Sequence, residues 1–368
     1  MEIKNNYNET LTNIAASIQK YFQLSPSHNT LPILDDYLIK YHPKNVVTIL
    51  LDGLGTNILN RSLSKDAFLC KNLKASLTTV FPATTAAATT SIRTGLNPIE
   101  HGYLGWTTYI EPINKVITLF LDTEKGNDET ICQKFLPIKQ RFLSPDLITE
   151  QIKKAKTGRA IELFPFGENA YSGFDELMDR IKIAAQEKGR QYIYAYDEEP
   201  DATMHEKGPD SQPVRQLIRE RNQKIEKLSQ SLHDTLLLVL ADHGHIKTRT
   251  IYLDDYPEIT SLLERKTSID QRAVAFKVKT NKQQEFRLLF ESNFGQYYHL
   301  YTSDEIIKSK IFGDGSENPL YRPALGDFLA IAISDVAITA DGDHYHLSHH
   351  AGYTEDEIQI PLIIKYCE

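Results

Sequence analysis

The chain has 368 residues, a formal net charge of −8, 41% hydrophobic residues and 24% charged residues. That balance suits a globular chain of one large domain with an insertion, or of two domains, and argues against a stable nucleic-acid partner. No apolar run is long enough to cross a membrane, and no apolar stretch follows Met1-Glu2-Ile3-Lys4, so neither a membrane span nor a signal peptide is expected. Cys70, Cys132 and Cys367 lie far apart without CxxC spacing and read as reduced structural thiols of a cytoplasmic protein.

Helical spacing runs from about Leu11 to Phe22 and again from Leu31 to Tyr41, where Pro43 ends it. Val46-Val47-Thr48-Ile49-Leu50-Leu51 is a nearly continuous apolar, β-branched run, the pattern of a strand buried on both faces, and it finishes in Asp52-Gly53. From Leu77 a β-rich run breaks at Phe81-Pro82 into Thr84, Thr85, three alanines and further small hydroxylated residues, which start a tightly packed helix. Such a junction sets free backbone N–H groups and a hydroxyl beside each other, which suits an oxyanion; the plainer reading is hydroxyls acting as helix caps. Asn97-Pro98 reads as a turn, and His101-Gly102 leads into a β segment holding Trp106. Ile113 to Lys156 has little clear pattern beyond Ser144-Pro145-Asp146, which can open a helix.

Strands are then expected at Gly158–Phe166, Tyr192–Tyr196 and Leu236–Ala241, with helices at Asp175–Lys188 and Gln212–His233. This alternation predicts an α/β fold with a doubly wound, mostly parallel sheet. From about Ile251 to Leu325 the texture changes: strands at Arg272–Val278 and Tyr297–Tyr301, a helix at Lys282–Asn293 with Phe286 and Leu289 inward, and a short helix capped by Ser303-Asp304-Glu305. These residues read as a small α+β lid (251–325) inserted between the first part of a hydrolase core (1–250) and its last part (326–368). In that last part Phe328–Ala337 and Ile360–Ile364 return as buried strands of the main sheet. There are no internal repeats and no low-complexity segments.

Strand ends carry the chemistry. Asp52 follows the first buried strand, Asp201 and His205 follow the strand ending at Tyr196, and Asp242-His243 follows the strand ending at Ala241. On a helical turn Asp201 and His205 share one face, a spacing that lets both bind one metal. His344, His346, His349 and His350 lie just before the last strand; for His344 and His346 a solvated loop is the preferred reading. Each feature alone has a plainer account, as a helix cap, a surface i,i+4 pair or a polar loop. Four such groups together fit two divalent metals with carboxylate and imidazole ligands and a hydroxyl beside them.

Taken in order, several motifs resemble the alkaline phosphatase superfamily, nearest its nucleotide pyrophosphatase/phosphodiesterase branch. They are Leu50-Leu51-Asp52-Gly53, Phe81-Pro82-Ala83-Thr84-Thr85, Thr94-Gly95 with Pro98 and His101-Gly102, Asp201-Ala202-Thr203-Met204-His205 with Gly208-Pro209, Ala241-Asp242-His243-Gly244, and His350-Ala351-Gly352. The resemblance implies an alkaline phosphatase-like fold. It implies one metal held by Asp201, His205 and His350, another held by Asp52, Asp242 and His243, and Thr85 as nucleophile and ligand. Thr85 is preferred to Thr84 because the family nucleophile stands four residues after the aromatic matched by Phe81. His350 is preferred to His349 because the family histidine directly precedes the pair matched by Ala351-Gly352. One departure is Ala88, where the branch carries an asparagine that helps to bind the phosphoryl oxygen.

The resemblance implies two-metal hydrolysis of a small phosphate ester, with a nucleotide among the candidates, through a phosphothreonine. Zn²⁺ is the first choice because each site mixes histidine with carboxylate, and Mn²⁺ tolerates the same ligands. The alternatives are a phosphomonoesterase or phosphonate hydrolase, a metal-dependent phosphosugar mutase, and a binding protein whose metals only hold the fold.

Overall fold

In the computed structural model, residues 6–119, 121–126, 143, 145–167, 170–340 and 342–368 are described. The strands in chain order are β1 Asn45–Leu51, β2 Leu73–Thr78, β3 Thr107–Ile110, β4 Lys115–Thr118, β5 Thr123–Glu124, β6 Arg159–Leu163, β7 Gln191–Asp197 and β8 Thr235–Leu240. They continue with β9 Ile246–Lys247, β10 Arg249–Tyr252, β11 Ser268–Ile269, β12 Ala273–Phe276, β13 Tyr298–Thr302, β14 Phe328–Ala332, β15 Val336–Thr339, β16 Ser348–His349 and β17 Gln359–Cys367.

The main sheet runs β2-β17-β8-β1-β7-β6. β8, β1, β7 and β6 pair in parallel, and β17 lies antiparallel between β8 and β2. The sheet is therefore mostly parallel, as the alternation of strands and helices requires. Every residue of β1, β7 and β8 is buried, which explains why their sequences are continuous apolar runs rather than alternating ones. Helices cover both faces: Leu11–Tyr21, Phe174–Gln186 and Gln212–Ser229 contribute Ile14, Leu177, Ile218 and Ile225 to the same core as Val47 and Leu237. Because β1, β7 and β8 are parallel neighbours, their carboxyl ends open side by side at one edge of the sheet.

A second, seven-stranded sheet runs β13-β14-β12-β11-β3-β4-β5. This corrects two expectations. The sheet draws on residues 107–124 as well as on the segment after Ile251, and Phe328–Ala332 joins it instead of returning to the main sheet. Val336–Thr339 pairs in parallel with Arg249–Tyr252 in a separate two-stranded sheet. One face of β14 (Phe328, Ala330 and Ala332) packs with Phe286, Phe290 and Phe294 of the Gln283–Phe294 helix. The other face (Leu329 and Ile331) packs with Ile306, Phe312, Tyr321 and Phe81, which ties this unit to the strand–helix junction of the core.

Smaller differences also stand out. Pro98–His101 is a short helix with Pro98 at its first turn, not a simple turn, because Asn97 and Glu100 form a capping box. Thr302, one residue before the expected Ser303, caps the Ser303–Ser309 helix through its hydroxyl and Glu305. The helix expected from Ser144 runs Ile148–Ala155; Ser144 itself and Cys132 lie outside the described residues. Cys70 and Cys367 are free thiols. Among the described residues, no helix is long and apolar enough to cross a membrane.

Candidate metal centre

Thr85 opens the Thr85–Thr94 helix, with Thr84 as its N-cap and Gly95, in a left-handed conformation (φ 76°), as its C-cap. The helix is built from small residues, and Thr89, Thr90 and Thr94 donate their hydroxyls to the carbonyls of Thr85, Ala86 and Thr90. As at any helix start, the first N–H groups have no intrahelical partners, and the positive end of the helix is directed at whatever lies before Thr85. The two neighbouring threonines point to different places. Thr84 Oγ1 donates to Asp270 Oδ2 at 3.1 Å, whereas Thr85 Oγ1 lies 3.5 Å from Asp52 Oδ1 and 3.2 Å from His243 Nε2.

Asp52 leaves the end of β1, and Asp242-His243 follows β8. Asp52, Asp242 and His243 are all buried, and their ligand atoms gather within 4.8 Å of one another. His243 Nε2 is 3.2 Å from Asp52 Oδ1 and 3.6 Å from Asp242 Oδ2. Asp242 Oδ1 accepts from the backbone N–H groups of Gly53 and His243, both at 3.0 Å, and the Tyr196 hydroxyl donates to Asp52 Oδ2. Gly244 is required where it stands: a Cβ there would come 1.9 Å from the Asp356 carbonyl oxygen.

The second group joins Asp201 and His205, one turn apart on the Asp201–Lys207 helix, with His245 and His350. Asp201 Oδ2 lies 3.3 Å from His205 Nε2, and its Oδ1 lies 2.8 Å from His245 Nε2 and 3.9 Å from His350 Nε2. Carbonyl oxygens only accept, so the contacts of His205 Nδ1 with Ser348 O (2.9 Å) and of His350 Nδ1 with Ala83 O (3.1 Å) place a proton on each Nδ1. Both Nε2 lone pairs are thereby left for a metal. The rings of His243 and His350 stack with centroids 3.9 Å apart, so the two groups adjoin. Ala351, next to His350, holds a φ of 79°, a strained value for alanine of the kind that clusters at functional sites.

Burial and mutual contact shape the charge of both groups. Burial, then neighbouring carboxylates, push Asp52 and Asp242 well above the usual carboxylate range. Burial acts the same way on Asp201, but His205 and His245 outweigh it and hold that carboxyl well below the range. Burial drives His350 well below the ordinary imidazole value and His245 down to about 4. Asp242 Oδ2 and His245 Nδ1 are buried without a hydrogen-bond partner, while Asp201 Oδ1 and His245 Nε2 face each other at 2.8 Å. Orphaned atoms of this kind cost about 1–3 kcal/mol each. Their donor set of imidazole nitrogen and carboxylate oxygen is the set a divalent transition metal takes, so the residues present fit a cation in each group.

All seven residues expected from the sequence thus converge here: Asp52, Thr85, Asp201, His205, Asp242, His243 and His350. Three others were missed. His245 stands two residues after His243, and the Asp-His-Gly-His string was the available signal. Tyr196 closes the β7 run and reads as core until its hydroxyl is seen on Asp52. His346 does not sit apart in a solvated loop: its ring packs 4.3 Å from that of His205 and lines the cavity, and His344, although exposed, lies at the same cavity. Ala88 is fully buried in the main core, three residues along the helix from Thr85.

Two cavities flank Thr85, which lines both together with Trp106, Leu121, Asp201 and Ala202. One, of about 570 Å³, is bounded by strands of the second sheet and by the histidine loop; the other, of about 970 Å³, is walled by Tyr103, Phe164, Phe166 and Tyr196.

A family profile described as type I phosphodiesterase / nucleotide pyrophosphatase matches residues 46–353. A sequence search of curated proteins finds no match. Among solved structures, murine ectonucleotide pyrophosphatase/phosphodiesterase 5 aligns with a TM-score of 0.65 at 19% identity, covering 86% of this chain and 87% of that one. The human protein of the same name aligns with a TM-score of 0.64 at 17% identity, covering 87% of each chain. An inactive variant of the murine protein in complex with AMP aligns with a TM-score of 0.63 at 18% identity, covering 86% of this chain and 87% of that one. These structures share the fold.

Proposed function

Because the chain belongs to the type I phosphodiesterase / nucleotide pyrophosphatase family, a branch of the alkaline phosphatase superfamily, we propose that it hydrolyses phosphodiesters at a two-metal centre with Thr85 as nucleophile. The observation that carries this reading is the position of Thr85 Oγ1, at a helix N-terminus, beside Asp52 and His243 and at the junction of two cavities.

Asp52, Asp242 and His243 would hold one cation beside Thr85, and Asp201, His205 and His350 the other, with His245 against Asp201. When bound, the two cations supply the positive charge that favours the Thr85 alkoxide and screens the phosphoryl oxygens. Asp52 Oδ1 accepts the Thr85 hydroxyl hydrogen bond and orients the oxygen, while Tyr196 fixes the other oxygen of the same carboxylate. The N–H groups of the first helical turn would face the phosphoryl group and add to the stabilisation of its developing charge. Thr85 Oγ bonds to phosphorus as the bond to the leaving alcohol breaks, and that alcohol takes up a proton. Water then displaces Thr85 from the phosphothreonine, restores its proton and leaves a phosphomonoester.

Room on both sides of Thr85 favours a diester over a monoester, which needs only one side. The relative that binds AMP supports a nucleotide among the substrates. Mixed imidazole and carboxylate donors favour zinc, with manganese as the substitute. The free thiols Cys70 and Cys367 support a reducing, cytoplasmic setting.

The test is turnover of bis-p-nitrophenyl phosphate against p-nitrophenyl phosphate by the chelator-treated protein, before and after zinc or manganese is restored. Diester turnover that disappears on chelation and returns with metal is expected. Full activity in a preparation shown by elemental analysis to be metal-free would overturn the two-metal reading, and a monoester preference would overturn the diesterase assignment.

A further inference from the structure

The Thr85–Thr94 helix carries Thr85, Thr89 and Arg93 at a spacing of four, so they stand in one stripe, and all three line the larger cavity. Arg93 lies two turns past Thr85, about 12 Å along the axis, and side chains on a helix lean back toward its N-terminus. The Thr89 hydroxyl between them is spent on the Thr85 carbonyl. The opposite wall is aromatic: Phe164 lies 5.1 Å from Phe166 and 5.4 Å from Tyr196 between ring centroids. The hydroxyls of Tyr103 and Tyr196 are held by the Leu143 carbonyl and by Asp52, so these walls offer rings and not polar tips. At the end where Asp52, Thr85 and Asp201 stand, the cavity meets the metal centre, and the phosphate belongs there.

The far end of the stripe holds a hydrogen-bonding device. Arg93 donates from Nε to Glu162 Oε1 at 3.0 Å and from Nη2 to Glu162 Oε2 at 2.6 Å, and its guanidinium carbon sits 4.8 Å from the centre of the Phe164 ring. A guanidinium has five N–H donors in a rigid plane, and Glu162 uses the side-on pair. The end-on pair, one N–H each on Nη1 and Nη2, has no acceptor among the described residues. Nη1 is not among the buried orphan atoms, so it opens to the cavity that Arg93 lines. Glu162 already meets the charge of Arg93; what remains is a fork of two parallel donors beside aromatic rings. Its complement is a flat ring with two adjacent acceptors on one edge. Among the nucleobases guanine has that edge, O6 with N7. Adenine sets an N6 donor beside N7, cytosine an N4 donor, and thymine a methyl group beside O4.

Resting on the diesterase reading above and on a nucleotide among its substrates, we infer that Arg93 reads the O6/N7 edge of a guanine held against Phe164, Phe166 and Tyr196. The phosphate of the same nucleotide lies at Thr85, and the second arm of the diester enters the smaller cavity. The two-turn span suits the 5′ ester, in which the phosphate hangs one CH₂ beyond the ribose, so the substrate class is a diester of guanosine 5′-phosphate. Glu162 holds the guanidinium plane through the side-on pair, and with it the plane in which the base is bound.

The metal-loaded full chain is assayed for nitrophenolate release from the p-nitrophenyl esters of guanosine, inosine, 7-deazaguanosine and adenosine 5′-monophosphates, with bis-p-nitrophenyl phosphate as the reference. The guanosine ester is expected to exceed the adenosine ester about tenfold in kcat/KM, as a bidentate pair against a mismatched edge should. Inosine keeps O6 and N7 and should match guanosine; 7-deazaguanosine lacks N7 and should lose several-fold. Arg93→Lys keeps a positive charge beside Glu162 but has no fork, so its guanosine-to-adenosine ratio should fall toward one. The ratio is read within each protein, so a general loss of activity cancels, and if the variant does not fold the base series in the parent chain decides alone. An adenosine ester as good as the guanosine ester, an inosine ester as slow as adenosine, a 7-deazaguanosine ester as good as guanosine, or an unchanged ratio in Arg93→Lys overturns the inference. So does p-nitrophenyl 3-carboxyphenyl phosphate outrunning the guanosine ester, since the fork then serves an anion. In each of these cases turnover of bis-p-nitrophenyl phosphate leaves the diesterase reading standing. No turnover of that reference by fully metallated protein overturns the diesterase reading first, and the guanine assignment with it.

Discussion

Thr84 and Thr85 show how one position along a helix start separates a structural hydroxyl from a reactive one. Both are buried, both follow Pro82, and composition alone treats them alike. The N-cap conformation of Thr84 turns its side chain to Asp270, and the first helical position turns Thr85 to Asp52 and His243. Thr85→Ala is therefore expected to lose several orders of magnitude in kcat, each tenfold being about 1.4 kcal/mol of barrier, while elemental analysis still finds two metals per chain. Thr85→Ser should keep part of the activity, since the hydroxyl remains. Thr84→Ala should keep most of it and lose about 1 kcal/mol of stability with the hydrogen bond to Asp270. Equal kcat in Thr85→Ala and the parent chain would exclude covalent catalysis at this position. At this scale the acids and histidines at strand ends were legible because an ionisable side chain immediately after a buried apolar run is costly unless it has a task. His245 and Tyr196 were not, since His245 follows a pair that already supplies two ligands and a tyrosine ending a strand also suits an ordinary core.

Among the elements, β1, β7 and β8 were legible for a physical reason: burial on both faces leaves a continuous apolar run with no period to misread. The same rule misled at Phe328–Ala332. Its residues are apolar on both faces because two different clusters pack on them, and nothing in such a run says which sheet it joins. One link between the second sheet and the metal centre is polar and fully buried. Arg272, at the start of β12, pairs with Glu357 at 2.6 and 2.8 Å, and Glu357 accepts from the Gly352 N–H at 2.7 Å, two residues from His350. Burial acts to raise the Glu357 pKa, but Arg272 outweighs it and holds the carboxyl below its ordinary value. Glu357→Ala should cost about 3–5 kcal/mol, because it strands a buried guanidinium. A group with a depressed folded pKa contributes above its unfolded value and loses that contribution as pH falls through the folded one. The deficit of Glu357→Ala in denaturant midpoint should accordingly be full near neutrality and shrink in acid below the ordinary glutamate range. A deficit that is unchanged in acid would show that lost packing, not charge, sets the cost.

For the whole molecule, the strand topology changes what the segment after Ile251 can be. A lid confined to residues 251–325 could be removed and leave the core closed, but the second sheet does not respect those limits. Cutting out 251–325 takes away β11, β12 and β13 and leaves β14 without either neighbour and β3 without its pairing to β11. It also takes away Phe286, Phe290 and Phe294, which cover Phe328, and Phe312 and Tyr321, which cover Phe81 just before the Thr85–Thr94 helix. Arg272 would go with them and leave Glu357 as an unpaired buried carboxylate beside the His350 loop. Fully burying one such aromatic side chain is worth roughly 1.5–3 kcal/mol, so five of them alone approach the 5–15 kcal/mol by which a whole domain is stable. The deletion is therefore expected to abolish cooperative unfolding and to expose apolar surface, read by dye binding and by loss of the folded elution volume. Metal binding should weaken with it, since His350 lies in the loop that Glu357 holds and His205 Nδ1 contacts Ser348 O of the same loop. A deletion product that unfolds cooperatively and retains two metals would show that the core closes without the second sheet, and the insertion would then be a true lid.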